Sequence, residues 1–154
     1  MQMKTVVNNQ VWGLKDQTIN NWLLERHKVL IAYCELAGVT PNELKEKALP
    51  HDFYIKHFCQ ILMDYISAGH FDIFEKIINQ YQHSAYDRAP SLHEIYPKIL
   101  LSTDLALQFN DRYAESMNRQ HLNTFDSHLS ILGKHLEQRF ELEDELLRNV
   151  SAQK

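Results

Sequence analysis

A chain of 154 residues, 44% hydrophobic and 23% charged, is long enough for one domain with a sizeable core and too apolar to remain disordered. Its formal charge of −4 argues against general nucleic-acid binding, which rests on lysine and arginine neutralising phosphates, and suits a basic partner better. No window approaches the roughly eighteen apolar residues of a membrane span, and the N-terminal segment lacks a signal-length apolar run, so the chain is expected in the cytoplasm.

Only four glycines and four prolines interrupt the pattern, and almost none of it alternates as a strand would. A first helix is predicted over Gln17–Ala37, with Ile19, Trp22, Leu23, Leu30, Tyr33 and Ala37 on one face and Gly38 as C-terminal cap. Residues 39–50 form a connection with a turn of helix around Asn42–Lys47. A second helix is expected from His51 to Ala68, where Gly69 supplies the left-handed conformation that ends a helix, and a shorter one follows to Tyr81. Gln82–Ala89 lacks periodicity and reads as a mobile loop. Ser91 to Glu94 has the form of a capping box, but Pro97 would break a helix begun there, so the next helix is placed from Pro97 to Ala114. The last spans Asn118–Asn149, with Leu122, Phe125, Leu129, Leu132, Leu136, Phe140, Leu146 and Leu147 inward and Gly133 costing it roughly 1 kcal/mol. The sum is a single all-α domain, an up-and-down four-helix bundle with one short additional helix, frayed at 1–16 and 150–154. Cys34 and Cys59 read as small buried hydrophobes in a reducing compartment.

Three polar features stand against this pattern. Arg139 and Glu143 continue the seam of Leu129, Leu132 and Leu136, and Arg26 falls between Trp22 and Leu30, so these charges need one another or Asp64 as partners. They either fix the register of the bundle or mark a polar, partly open end of it. His57, Gln60, Asp64, Ser67 and Phe71 form a strip beside the core face, which is either a solvated helix face or a binding surface. From Glu137 to Arg148 five acids meet two bases, and Glu137, Glu141 and Glu145 repel along successive turns.

Recognisable reaction chemistry is missing. Nine histidines yield no Glu-x-x-His, no His-x-x-x-His and no phosphotransfer setting, and Cys-x-x-Cys is absent. His121, His128 and His135 lie about 10 Å apart at the helical rise, too far to share an ion. No cofactor or metal is expected, and the chain does not read as an enzyme. A small-molecule or metal-binding bundle enzyme and a general interaction scaffold are the alternatives.

Three strings stand out: Trp22-Leu23-x-x-Arg26 followed by Leu30-Ile31-Ala32-Tyr33 and Leu36-x-Gly38; Phe58-Cys59-Gln60-x-Leu62-x-Asp64-Tyr65-x-Ser67-Ala68-Gly69-His70-Phe71 with Glu75 beyond; and Glu137-x-Arg139-Phe140-x-Leu142-Glu143-Asp144-x-Leu146. Together they resemble the Rsd/AlgQ family of anti-sigma factors. The resemblance implies a helical bundle that binds the C-terminal promoter-recognition domain of the primary sigma factor and keeps sigma off core polymerase as growth slows. It makes Asp64, Ser67 and Phe71, with Gln60 and His57, the sigma-contact candidates. Arg26, Arg139 and Glu143 become the polar network behind them, and Trp22, Gly69, His70, Glu75 and Asp144 are further motif positions. The chain departs from the family pattern at Glu25, Glu35 and Glu141.

Overall fold

The computed structural model describes residues 10–11, 14–38, 48–83, 90–115 and 119–152. Among the described residues five helices carry the fold: α1 (Asp16–Ala37), α2 (Ala48–Ala68), α3 (Glu75–His83), α4 (Pro90–Tyr113) and α5 (Arg119–Ala152). A π-helical segment, Gly69–Phe74, joins α2 to α3. α1, α2, α4 and α5 form the up-and-down four-helix bundle, packed α1 on α2, α2 on α4 and α4 on α5. Ahead of α1 the short strands β1 (Gln10–Val11) and β2 (Leu14–Lys15) pair antiparallel, Gln10 opposite Lys15, within a segment expected to be frayed.

The core is one cluster in which aromatic rings mesh across helices, because large rings fill bundle layers and favour edge-on contact. Trp22 of α1 meets Phe74 edge-on at 5.6 Å, and Phe58 of α2 meets Phe109 of α4 at 5.8 Å. On α1 the buried row is Ile19, Trp22, Val29, Ala32 and Leu36. Leu30, expected inside, is 46% exposed because this row drifts away from it, and Cys34 is exposed where a buried thiol was expected, whereas Cys59 is buried.

The principal correction lies at Gly69. The residues that flank the π segment, Ala68 (φ −62°, ψ −43°) and Glu75 (φ −59°, ψ −40°), are both right-handed, and the Glu75 N–H reaches the His70 carbonyl, five residues back. The helix therefore does not stop at Gly69; it widens for one π turn and continues. Glycine is needed for space: a Cβ there would lie 3.0 Å from Trp22 Nε1, 3.2 Å from Phe74 Cε2 and 3.5 Å from Arg139 Nη2. Gly133 has the same logic, since a Cβ would sit 2.1 Å from the Tyr33 hydroxyl, which donates to the Leu129 carbonyl at 3.0 Å. Its propensity penalty is thus tied to a specific interhelical bond.

Prolines account for two other shifted boundaries, the starts of α2 and α4. α2 starts at Ala48 rather than His51, taking in Pro50 as its third residue, where no N–H is required. α4 starts at Pro90, not Pro97, which lies inside the helix. Pro97 and His93 are both exposed, so the carbonyl that loses its N–H partner is on the solvent side. α3 reaches His83 and α5 reaches Ala152, beyond their expected ends. The turn placed at Asn42–Lys47 and the remainder of the Gln82–Ala89 loop lie outside the described residues.

Candidate partner-binding surface and the network behind it

α2 buries Ile55, Phe58, Cys59, Leu62, Tyr65 and Ile66, which leaves the opposite face to solvent. His57, Gln60, Asp64 and Ser67 all lie exposed there, and Phe71 extends the line from the π segment with 60% of its surface open. Gln60 Nε2 donates to Asp64 Oδ1 at 3.0 Å, which holds that carboxylate on the strip. Phe53, 63% exposed, stacks on His57 with ring centroids 5.8 Å apart and the ring planes 5° from parallel. At the other end the His70 ring meets Phe71 edge-on at 4.7 Å, and its Nε2 lies 3.8 Å from Glu75 Oε2. The strip thus has an aromatic at each end and an acid between. Phe53 was missed in the sequence; it lies four residues before His57, in phase with the strip, and that spacing was the signal to look for.

Behind this face lies a polar network that joins all four bundle helices. Arg139, 1% exposed, donates from Nε to Glu143 Oε2 at 2.9 Å and to the Tyr65 hydroxyl at 3.0 Å. Its Nη1 donates to Thr103 Oγ1 at 2.8 Å, Ser102 Oγ at 3.0 Å and the Ile99 carbonyl at 3.3 Å. Tyr65 in turn donates to Glu143 Oε2. Arg26 Nη1 crosses from α1 to Asp144 Oδ1 at 2.8 Å and Glu143 Oε1 at 3.3 Å, with its guanidinium 5.3 Å from the Phe140 ring centroid. The structure brings Arg26, Arg139 and Glu143 together, whereas Asp64, offered as an alternative partner for Arg26, bonds Gln60 instead. Among the described residues Trp22 Nε1 and Arg139 Nη2 have no hydrogen-bond partner, and both face Gly69.

Sequence reasoning missed Tyr65, Ser102 and Thr103, and took Asp144 only as a motif position. The signals were a phenol in a core row, which requires a hydroxyl partner, and Ser102 in step with Ile95, Ile99, Ala106 and Phe109. Burial pushes the Glu143 carboxyl up from its ordinary value, opposed by Arg139, Tyr65 and Arg26. Burial likewise drives the Tyr65 phenol well above its usual range, with the Glu143 charge adding to it. Two guanidiniums face two carboxylates, so the formal charges balance.

Two open grooves flank α5, one of about 360 Å³ against α1 and one of about 380 Å³ against α4. Among the described residues no three His, Cys, Asp or Glu side chains cluster to hold a metal ion, and no helix is long and apolar enough to cross a membrane.

The family model described as regulator of RNA polymerase sigma(70) subunit, Rsd/AlgQ, matches residues 1–151. The chain belongs to the Rsd/AlgQ family. Among curated relatives, the regulator of sigma D of Yersinia enterocolitica serotype O:8 / biotype 1B is 31% identical over 137 residues, covering 88% of this chain and 81% of the relative. The regulator of sigma D of Enterobacter sp. (strain 638) is 34% identical over 141 residues, with coverage of 88% and 81%. No solved structure matches. The Rsd/AlgQ match spans both the α2 strip and the network, so both are features of a family member's fold.

Proposed function

We propose that this chain binds the primary sigma factor of RNA polymerase through the outer strip of α2. The contact falls on the C-terminal promoter-recognition domain and keeps sigma from core polymerase. The observation that carries this reading is the exposed line of His57, Gln60, Asp64, Ser67 and Phe71 on a chain of the Rsd/AlgQ family. A carboxylate flanked by two open aromatic rings suits a basic, partly apolar surface, which is what a DNA-reading domain offers. The action is by occupancy, with no chemical step, and takes place in the cytoplasm where polymerase works.

Titrating the isolated C-terminal domain of the primary sigma factor with the full chain tests it. Asp64→Ala and Phe71→Ala should each weaken binding by on the order of 2 kcal/mol, close to thirtyfold, because few residues carry most of an interface's energy. Both positions are exposed, so the melting temperature should not move. Variants that hold sigma as tightly as the parent would reject the α2 strip.

A further inference from the structure

Phe71 and Phe74 are three residues apart, which on a regular helix leaves them about 60° from one another, on the same side. Yet Phe71 is 60% exposed and Phe74 only 2%. The contrast continues around them, since Ile73 and Ile77 are buried whereas Asp72, Glu75 and Lys76 are exposed. Counted back along α2, Phe71 follows Asp64 and Ser67 at helical spacing and so belongs to the outer strip. The π turn is what parts the two rings. A turn bonded to the fifth residue advances the chain less per residue, so three steps fall further short of a full circle.

The packing of Phe74 holds the turn at this pitch. Its ring meets Trp22 of α1 edge-on at 5.6 Å and Tyr96 of α4 at 6.2 Å, and the Arg139 guanidinium of α5 lies 5.6 Å from its centroid. Trp22 is in turn stacked on Tyr65 at 6.4 Å with the planes 7° apart, and Arg139 lies 5.1 Å from the same Tyr65 ring. Gly69, five residues before Phe74, completes the cluster: a Cβ there would meet Trp22 Nε1 at 3.0 Å and the Phe74 ring at 3.2 Å. The close approach of Trp22 and Phe74 to this backbone exists only because the methyl group is missing.

We propose that Gly69 and Trp22 are positioning residues for the partner contact. By seating Phe74 inward they fix the π turn, and through it the direction in which Phe71 leaves the surface. The inference rests on the function proposed above and gives two buried residues a part in it. Neither can touch a partner, so their effect on sigma binding passes through the side chain they orient.

A double-mutant cycle against the isolated sigma C-terminal domain tests this. Gly69→Ala and Trp22→Phe should each weaken binding about tenfold in the parent chain and less than about twofold when Phe71 is already alanine, because effects routed through one side chain do not add. Combining Gly69→Ala with Trp22→Phe should bind better than Gly69→Ala alone, since the smaller ring admits the added methyl group. Phe125→Leu thins the core of α5 fourteen residues from Arg139, and it should lower the melting temperature while leaving sigma affinity unchanged. A second measurement needs no partner. In chains carrying fluorinated phenylalanine, the fluorine resonance that disappears in Phe71→Leu should shift in Gly69→Ala and Trp22→Phe and stay in place in Phe125→Leu. Losses that persist in full without Phe71, or a resonance that does not move, would overturn the proposal, and either variant decides it if the other fails to fold. A parent chain that does not bind sigma would remove the function proposed above, and the resonance would still show whether Gly69 and Trp22 orient Phe71.

Discussion

Glu143 is wholly buried, and it remains tolerable inside hydrocarbon because three donors from three helices converge on its two oxygens. The pairing of Arg139 with Glu143 was legible in the sequence because both fall in step with a row of leucines, which leaves mutual neutralisation as the only inexpensive solution. Tyr65, Ser102 and Thr103 were not, because a hydroxyl's partner on another helix depends on how the helices face, and spacing along one chain does not encode that. Replacing Glu143 by Gln keeps the shape and removes the counter-charge of Arg139. Such a change should destabilise the fold by about 3–5 kcal/mol in chemical denaturation, the usual effect of breaking one half of a buried pair. A loss below about 1 kcal/mol would mean that hydroxyl and carbonyl acceptors alone satisfy Arg139.

At the scale of the element, the sequence showed which segments are helical and misplaced where they begin and end. Gly69 resembles a helix terminus because glycine usually serves as one, yet here its missing Cβ admits Trp22 and Arg139 to the backbone of a helix that continues. Side-chain crowding from other helices overrides the local signal. Pro97 misled for a related reason: a proline in a helix interior is unfavourable but survives where the freed carbonyl is on the solvent side. Pro97→Ala should restore that hydrogen bond and stabilise the chain by roughly 1–3 kcal/mol, read as a raised melting temperature. A lower melting temperature would show that proline's restriction of the unfolded chain outweighs the missing bond.

For the whole molecule, the net charge of −4 sets how a basic partner arrives. Association with the sigma domain should slow about tenfold as salt rises from roughly 50 to 500 mM, while dissociation changes little, since screening acts on the approach. Stopped-flow rates that ignore salt would point to an apolar encounter. The bundle itself was readable from four long amphipathic stretches, and so was the exposed α2 strip. The exposure of Leu100 and Leu107 on α4 was not, because a leucine at the edge of a helical face reads as core until its neighbours are known.

Arg139 and Glu143 reach from α5 to α1, α2 and α4 at once. Sliding any one of these rods by a single turn would strand a charge in oil, so the knot acts as a bolt through the bundle. The face proposed for sigma is therefore a rigid mould, and the bending needed for a close fit falls to the guest.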